Sequence, residues 1–155
     1  MAKSLVPTLM RRLAADRTGN AAVEFAYITP VLLGLSLPLV DLGSAAYYQM
    51  RVQDAAQAGA QAALTTGYSS TTITTAAQSA TSLGANVSVT PSETYNCVVS
   101  GAIGPSVASG TTCADGSTAG TYATVDTTYS YTLILAVPGL ANPMTLNGSA
   151  TVRID

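Results

Sequence analysis

The chain has 155 residues, 48% of them hydrophobic and only 9% charged, with a formal net charge of −2 and no histidine. Without histidine there is no Ser-His or Cys-His nucleophile and no imidazole base, and two cysteines alone cannot complete the usual four-ligand zinc site, so neither a catalytic nor a metal site is expected. The few cations are scattered and offer no phosphate-binding footprint, which argues against nucleic acid as a partner.

Residues 1–19 form a basic leader in which Lys3, Arg11, Arg12 and Arg17 stand against Asp16, a balance of +3. Positive charge ahead of an apolar run holds a leader in the cytoplasm and sends the remainder across the membrane. In residues 21–40 Glu24 is the only charge, and at about 1.5 Å per residue a helix of this length spans roughly 30 Å of hydrocarbon. Pro30 and Pro38 each remove a backbone donor, which predicts bends in a continuing helix. A carboxylate at the head of a membrane segment is costly unless compensated, so Glu24 requires a partner, and that requirement points to assembly.

Three readings of this region stand side by side. In one it is an ordinary secretory signal, with small residues at Ser44, Ala45 and Ala46 for a signal peptidase. In another it is an uncleaved anchor. In the third, cleavage after Gly19 leaves Asn20 with a free amine and Glu24 about one helical turn further on, where amine and carboxylate attract strongly at the low-dielectric edge and register one subunit against the next.

The stretch Gly19-Asn20-Ala21-Ala22-Val23-Glu24-Phe25-Ala26, with the Pro-containing apolar run after it, resembles the type IV prepilin processing site, and more closely the TadE-like proteins of tight-adherence (Flp-type) pilus systems. The C-terminal stretch from Tyr129 through Val137-Pro138-Gly139-Leu140 to Arg153 also looks like the end of that family. The resemblance implies processing by a membrane aspartyl prepilin peptidase and a part in building a surface pilus. Gly19 would precede the scissile bond, Asn20 would become the N-terminus, and Glu24, followed by Phe25, would be the carboxylate that pairs between subunits. Major pilins of these systems are very short and usually carry Tyr after the glutamate, so the resemblance is to a minor pilin or pseudopilin.

After removal of the leader, Arg51 and Arg153 face Glu24, Asp41, Asp54, Glu93, Asp115, Asp126 and Asp155, a balance of −5. About 110 residues beyond the span suffice for one small domain. Residues 41–66 are rich in Ala and Gln and continue the helix. Gln49, Gln53, Gln57 and Gln61 make a polar stripe, and Ala55, Gly59 and Ala63 make a row of small residues that invites close packing, against the chain's own sheet ahead of a neighbouring subunit. Tyr47 and Tyr48 suit the membrane interface.

Gly67 and the cluster from Ser69 to Thr72 interrupt the helix, and residues 73–83 form a short second helix stopped by Gly84. Alternation from Asn86 predicts a strand that resumes at residues 95–99 after Pro91, followed by a strand over 121–136 and a last one over 144–154 with a bulge at Gly148. Pro138-Gly139 and Asn142-Pro143 bound the intervening turn. Gly101, Gly104 and Gly110 read as loop flexibility, and Asp115-Gly116-Ser117 as a plain turn. Cys97 and Cys113 favour a structural disulfide closing that loop, against buried free thiols or an intermolecular bridge.

The expected architecture is α+β: a long N-terminal helix, membrane-spanning in its first half, on a small antiparallel sheet of three or four strands. The expected organisation is a leader at 1–19, a transmembrane and extended helix at 20–66, and a periplasmic or extracellular domain at 67–155. The expected function is structural, with prepilin peptidase, other pilin or pseudopilin subunits, the inner-membrane assembly machinery and membrane lipid as partners, and no cofactor. The protein would sit in the inner membrane with its C-terminus outside, and at the cell surface after assembly. The alternative is a membrane-anchored surface-binding module whose loop from Cys97 to Cys113 touches a surface or a glycan.

Overall fold

The computed structural model describes residues 19–135 and 139–155; residues 1–18 of the basic N-terminal stretch and Ala136, Val137 and Pro138 lie outside the described residues, as does the side chain of Asn20. The chain divides into two compact units, one ending at Val40 and one running from Asp41 to Asp155.

A single helix, α1, runs Asn20–Thr66 and contains both Pro30 and Pro38. Each proline removes the bond to the carbonyl four residues earlier, yet the helical path is unbroken on either side. Thr29 Oγ1 donates to Phe25 O at 2.6 Å and Ser36 Oγ to Leu33 O at 3.1 Å, so short hydroxyls engage the carbonyls of the turns around the prolines. Within the N-terminal unit the apolar side chains are open, among them Tyr27 at 78% and Leu39 at 73% exposure.

The second unit is an antiparallel sheet carrying helices on one face. Helix α2 (Ser70–Ser79) is followed by a 3-10 turn (Gly84–Asn86) and by strands β1 (Ser88–Val99), β2 (Ala102–Val107), β3 (Gly120–Tyr131) and β4 (Met144–Arg153), in sheet order β2-β1-β3-β4. The architecture is the α+β arrangement expected from sequence, with four strands.

The core explains the row of small side chains. Ala45, Val52, Ala55, Ala56, Ala60 and Ala63 of α1 are all buried, and a Cβ built on Gly59 would stand 3.0 Å from Val125 Cγ1 of β3. The row therefore packs against the chain's own sheet, where its missing volume lets the helix come close. Ile73 and Ala77 of α2 close over the same region. Along β3 the inward positions Ala123, Val125, Thr127 and Tyr131 are buried while Asp126, Thr128 and Ser130 are exposed, the period of two expected of a half-buried strand.

Four local details differ from the sequence expectations. Helix α2 starts three residues early because Ser69 is its N-cap, accepting from Thr72 N, so the Ser/Thr cluster read as an interruption is the helix start. Strand β1 passes through Pro91 without a break; β2 pairs only with Tyr95–Val99, so one edge of β1 is open at Pro91 and a missing donor costs no ladder bond there. The Gly101–Gly104 region read as loop is the turn into and the body of β2, and a Cβ on Gly104 would lie 2.8 Å from Cys97 O, so the glycine serves a close approach.

Gly148 is the fourth. It pairs in register with Thr127 and the β3–β4 ladder shows no bulge. A Cβ there would fall 2.7 Å from Thr127 Oγ1 and 2.8 Å from Val52 O of α1, so this glycine is the point where helix and sheet backbones touch. The buried Thr127 hydroxyl donates to Val52 O at 2.9 Å, joining the two layers by a direct bond.

Candidate functional site

Two regions carry the residues singled out from sequence: the start of α1, and the end of the sheet where the cysteines lie. At the first, Gly19 is exposed and precedes the helix, and its carbonyl accepts the first helical bond, from Val23 N at 3.2 Å. The Gly19–Asn20 peptide thus sits at the boundary of coil and helix, where a helix start leaves its first amide donors without intrahelical acceptors. Glu24 and Phe25 are exposed on the first turns of α1, Phe25 at 66%. Four residues at about 1.5 Å each place Glu24 roughly 6 Å along the axis from Asn20, close enough for its carboxylate to meet a chain start.

From residue 21 onward the helix is long and apolar enough to cross a membrane, and none of its apolar window is buried. Exposed Val, Leu and Ile over twenty residues are costly in water.

The polar stripe has a defined task in the second unit. Gln49 Nε2 donates to Asn147 O at 2.6 Å, and Gln53 both donates to Ser149 O at 2.9 Å and accepts from Ser149 N at 3.3 Å. These are the outward backbone groups of β4, an edge strand, so α1 covers an edge that would otherwise be open to another chain. Gln57 and Gln61 are exposed.

Asp41, the first residue of the second unit, is 2% exposed. Its Oδ1 accepts from the Tyr131 hydroxyl at 2.9 Å and its Oδ2 from Leu135 N at 3.1 Å. The bond to Asp41, helped by burial and by the carboxylate's charge, pushes Tyr131 ionisation above its ordinary value. Tyr48 stacks on Tyr129 at 5.6 Å and lies 5.1 Å from Tyr131, while Arg51 donates to the Tyr47 hydroxyl and sits over its ring. Of the two tyrosines assigned to the membrane interface, Tyr48 is therefore part of the domain's aromatic cluster. Sequence reasoning passed over Asp41, although a carboxylate directly after a long apolar run was the available signal.

Cys97 and Cys113 are joined by a disulfide, their Cα atoms 5.7 Å apart. The β1–β2 register shifts between Asn96 and Val98, so the irregular position is the bridged cysteine itself. Just past the bridge Cys113 N donates to Ser117 O, Gly116 N to Cys113 O, and Ser117 N and Oγ to Asp115 Oδ1, the tight turn expected at Asp115-Gly116-Ser117. Among the described residues, no three His, Cys, Asp or Glu side chains converge as a metal site would need.

The family model for TadE-like proteins matches residues 19–61. That segment is TadE-like. The match runs from Gly19 through most of α1 and stops before α2, so it includes Gly19, Asn20, Glu24 and Phe25 and leaves the sheet outside it. The C-terminal likeness read from Tyr129 to Arg153 is not part of the match. No curated protein and no solved structure matches the chain. The match thus shows a TadE-like segment, and the apolar helix it covers is a candidate membrane span by length and composition.

Proposed function

We propose that this protein is a minor pilin or pseudopilin of a tight-adherence pilus: cleaved after Gly19 by a prepilin peptidase, anchored by α1 in the inner membrane, and incorporated through helix packing and the pairing of the Asn20 amine with Glu24. The observation that carries the reading is the TadE-like match beginning at Gly19 on a helix that itself begins at Asn20 and then presents a membrane-length apolar surface. The order is physically coherent. A peptide bond at the helix boundary is accessible to a protease, cleavage creates a cation there, and the only carboxylate of the apolar run lies one turn away. The N-terminus lies on the cytoplasmic side before cleavage, as the +3 leader requires. The second unit, whose surface is poorly charged, lies outside, where Cys97 and Cys113 oxidise.

N-terminal sequencing and intact mass of protein extracted from membranes test this reading. A chain starting at Asn20 supports it. A chain starting at Met1 replaces it with an uncleaved anchor, and a start near Ala45 replaces it with an ordinary secretory signal.

A further inference from the structure

Asp41 is the first residue after the apolar run of residues 21–40 and continues the same unbroken helix. Exposed aliphatic side chains of the second unit are tied to it. Leu42 follows it on α1, and Leu135, whose amide donates to the Asp41 carboxylate at 3.1 Å, stands beside Ile134 at 84% exposure. Leu140, also exposed, belongs to the same connection between β3 and β4. At the base of that connection Leu133 N donates to Asn142 Oδ1 at 3.1 Å and Asn142 Nδ2 to Leu133 O at 3.4 Å, which fixes where it leaves the domain and where it returns. No charged residue stands between Asp126 and Arg153.

We propose that Leu42, Ile134, Leu135 and Leu140 seat in the interfacial layer of the membrane that α1 enters, on the side where its apolar segment ends. The inference rests on the reading of α1 as a membrane anchor. A helix of twenty residues spans roughly 30 Å of hydrocarbon, so Asp41 stands where the headgroup layer begins, and a backbone group bonded to it lies at about the same depth. A bare carboxylate at that depth is costly, but both oxygens of Asp41 accept bonds from the protein. Irregular backbone does not enter the hydrocarbon core exposed to lipid, whereas it can lie in the interface and dip apolar side chains inward.

Exposed apolar patches mark contacts with either membranes or proteins. Here the chemistry favours lipid: protein contacts are built around Trp, Tyr and Arg, whereas these four residues are all aliphatic and three of them lie in a stretch without charge. A second group of exposed aliphatic residues, Val98, Val99 and Ile103, belongs to the β1–β2 hairpin instead and provides the contrast.

The chain has no tryptophan, so one introduced indole reports only its own surroundings. The full chain carrying Ile134→Trp or Leu140→Trp, both at exposed positions, is reconstituted into phosphatidylcholine and phosphatidylglycerol vesicles with and without lipid brominated along its acyl chains. Leu32→Trp inside the apolar segment and Ile103→Trp on the hairpin are the references. Brominated lipid should remove about half or more of the emission from Ile134→Trp and Leu140→Trp, as for an aromatic ring in the interfacial belt, and leave Ile103→Trp unchanged. Quenching of Leu32→Trp without quenching of Ile134→Trp and Leu140→Trp overturns the proposal and leaves the anchor reading standing. Absence of quenching at Leu32→Trp overturns both. Equal quenching at Ile103→Trp also overturns the proposal, because the lipid contact would then not belong to the end of the domain that holds Asp41.

Discussion

The carboxylate of Asp41 and the hydroxyl of Tyr131 meet at 2.9 Å, ninety residues apart in sequence, with Asp41 only 2% exposed. The contact ties the residue at which the apolar segment ends to the last position of β3, and Leu135 N holds the second carboxylate oxygen. Replacing Asp41 by alanine leaves the Tyr131 hydroxyl and the Leu135 amide without that acceptor. The expected loss is about 2–3 kcal/mol of domain stability, read as a lower urea midpoint of the detergent-solubilised protein. An unchanged midpoint would show that solvent takes over both donors.

The same pair gives a pH dependence of known sign. Tyr131 ionises above its reference value of 10.0 in the folded protein because Asp41 favours the protonated hydroxyl. Its contribution is therefore fully present below pH 10 and is lost as pH rises through the raised folded value. Tyr131→Phe should be less stable than the parent at neutral pH, and the difference should narrow in alkali. A constant difference from neutral to strongly alkaline pH contradicts the assignment.

Close approach of α1 to the sheet depends on Gly148. Alanine there meets Thr127 Oγ1 at 2.7 Å and the backbone oxygen of Val52 at 2.8 Å, and neither helix nor strand can retreat without disturbing its neighbours. The expected cost is about 2 kcal/mol. At Gly43, where a Cβ meets nothing within 4 Å on the same helix, alanine should instead be neutral or add about 0.5–1 kcal/mol through helix propensity. Thermal unfolding of the two variants separates contact from propensity.

The bridge between Cys97 and Cys113 closes a short loop with little apolar content. Paired Cys97→Ser and Cys113→Ser substitutions should cost on the order of 3 kcal/mol by the loop-entropy estimate. The unreduced parent should not react with a thiol reagent. Stoichiometric labelling without reductant would exclude the bridge.

Glu24→Gln tests the assembly reading without touching the sheet. The variant should be processed and membrane-inserted as the parent is, while its incorporation with partner pilins falls by about tenfold or more, since a neutral amide cannot offset the chain-start charge. Co-purification of the tagged protein with sheared filaments measures it. Parental incorporation would remove the pairing from the mechanism.

The helix and three of the strands were readable because their signals are local. Twenty apolar residues, the Ala/Gly row at helical spacing, the alternation at the start of β1 and the β-branched and aromatic content of β3 are each visible within a window no longer than the element they specify. Strand β2 was missed because Gly104 and Pro105 carry no strand signature; it exists as an edge, paired to β1 near a bridged cysteine, where neither residue breaks a ladder that matters. Gly148 was read as a bulge because a glycine inside a strand has two common causes, and only the helix lying against it distinguishes close approach from an extra residue. The cysteines were legible as a pair from their number.

By itself, the sequence determined that a basic stretch precedes a TadE-like apolar helix with one acidic residue near its start, and that these 155 residues supply no histidine for chemistry. Only the tertiary structure decided that the small-residue row serves the chain's own sheet, that Gln49 and Gln53 cover an open strand edge, and that Asp41 is a buried anchor for Tyr131. The reason is distance along the chain. Hydropathy and helical spacing are properties of neighbouring residues, whereas the partner of a buried carboxylate or an outward strand carbonyl is set by contacts across roughly a hundred residues, which no local pattern encodes.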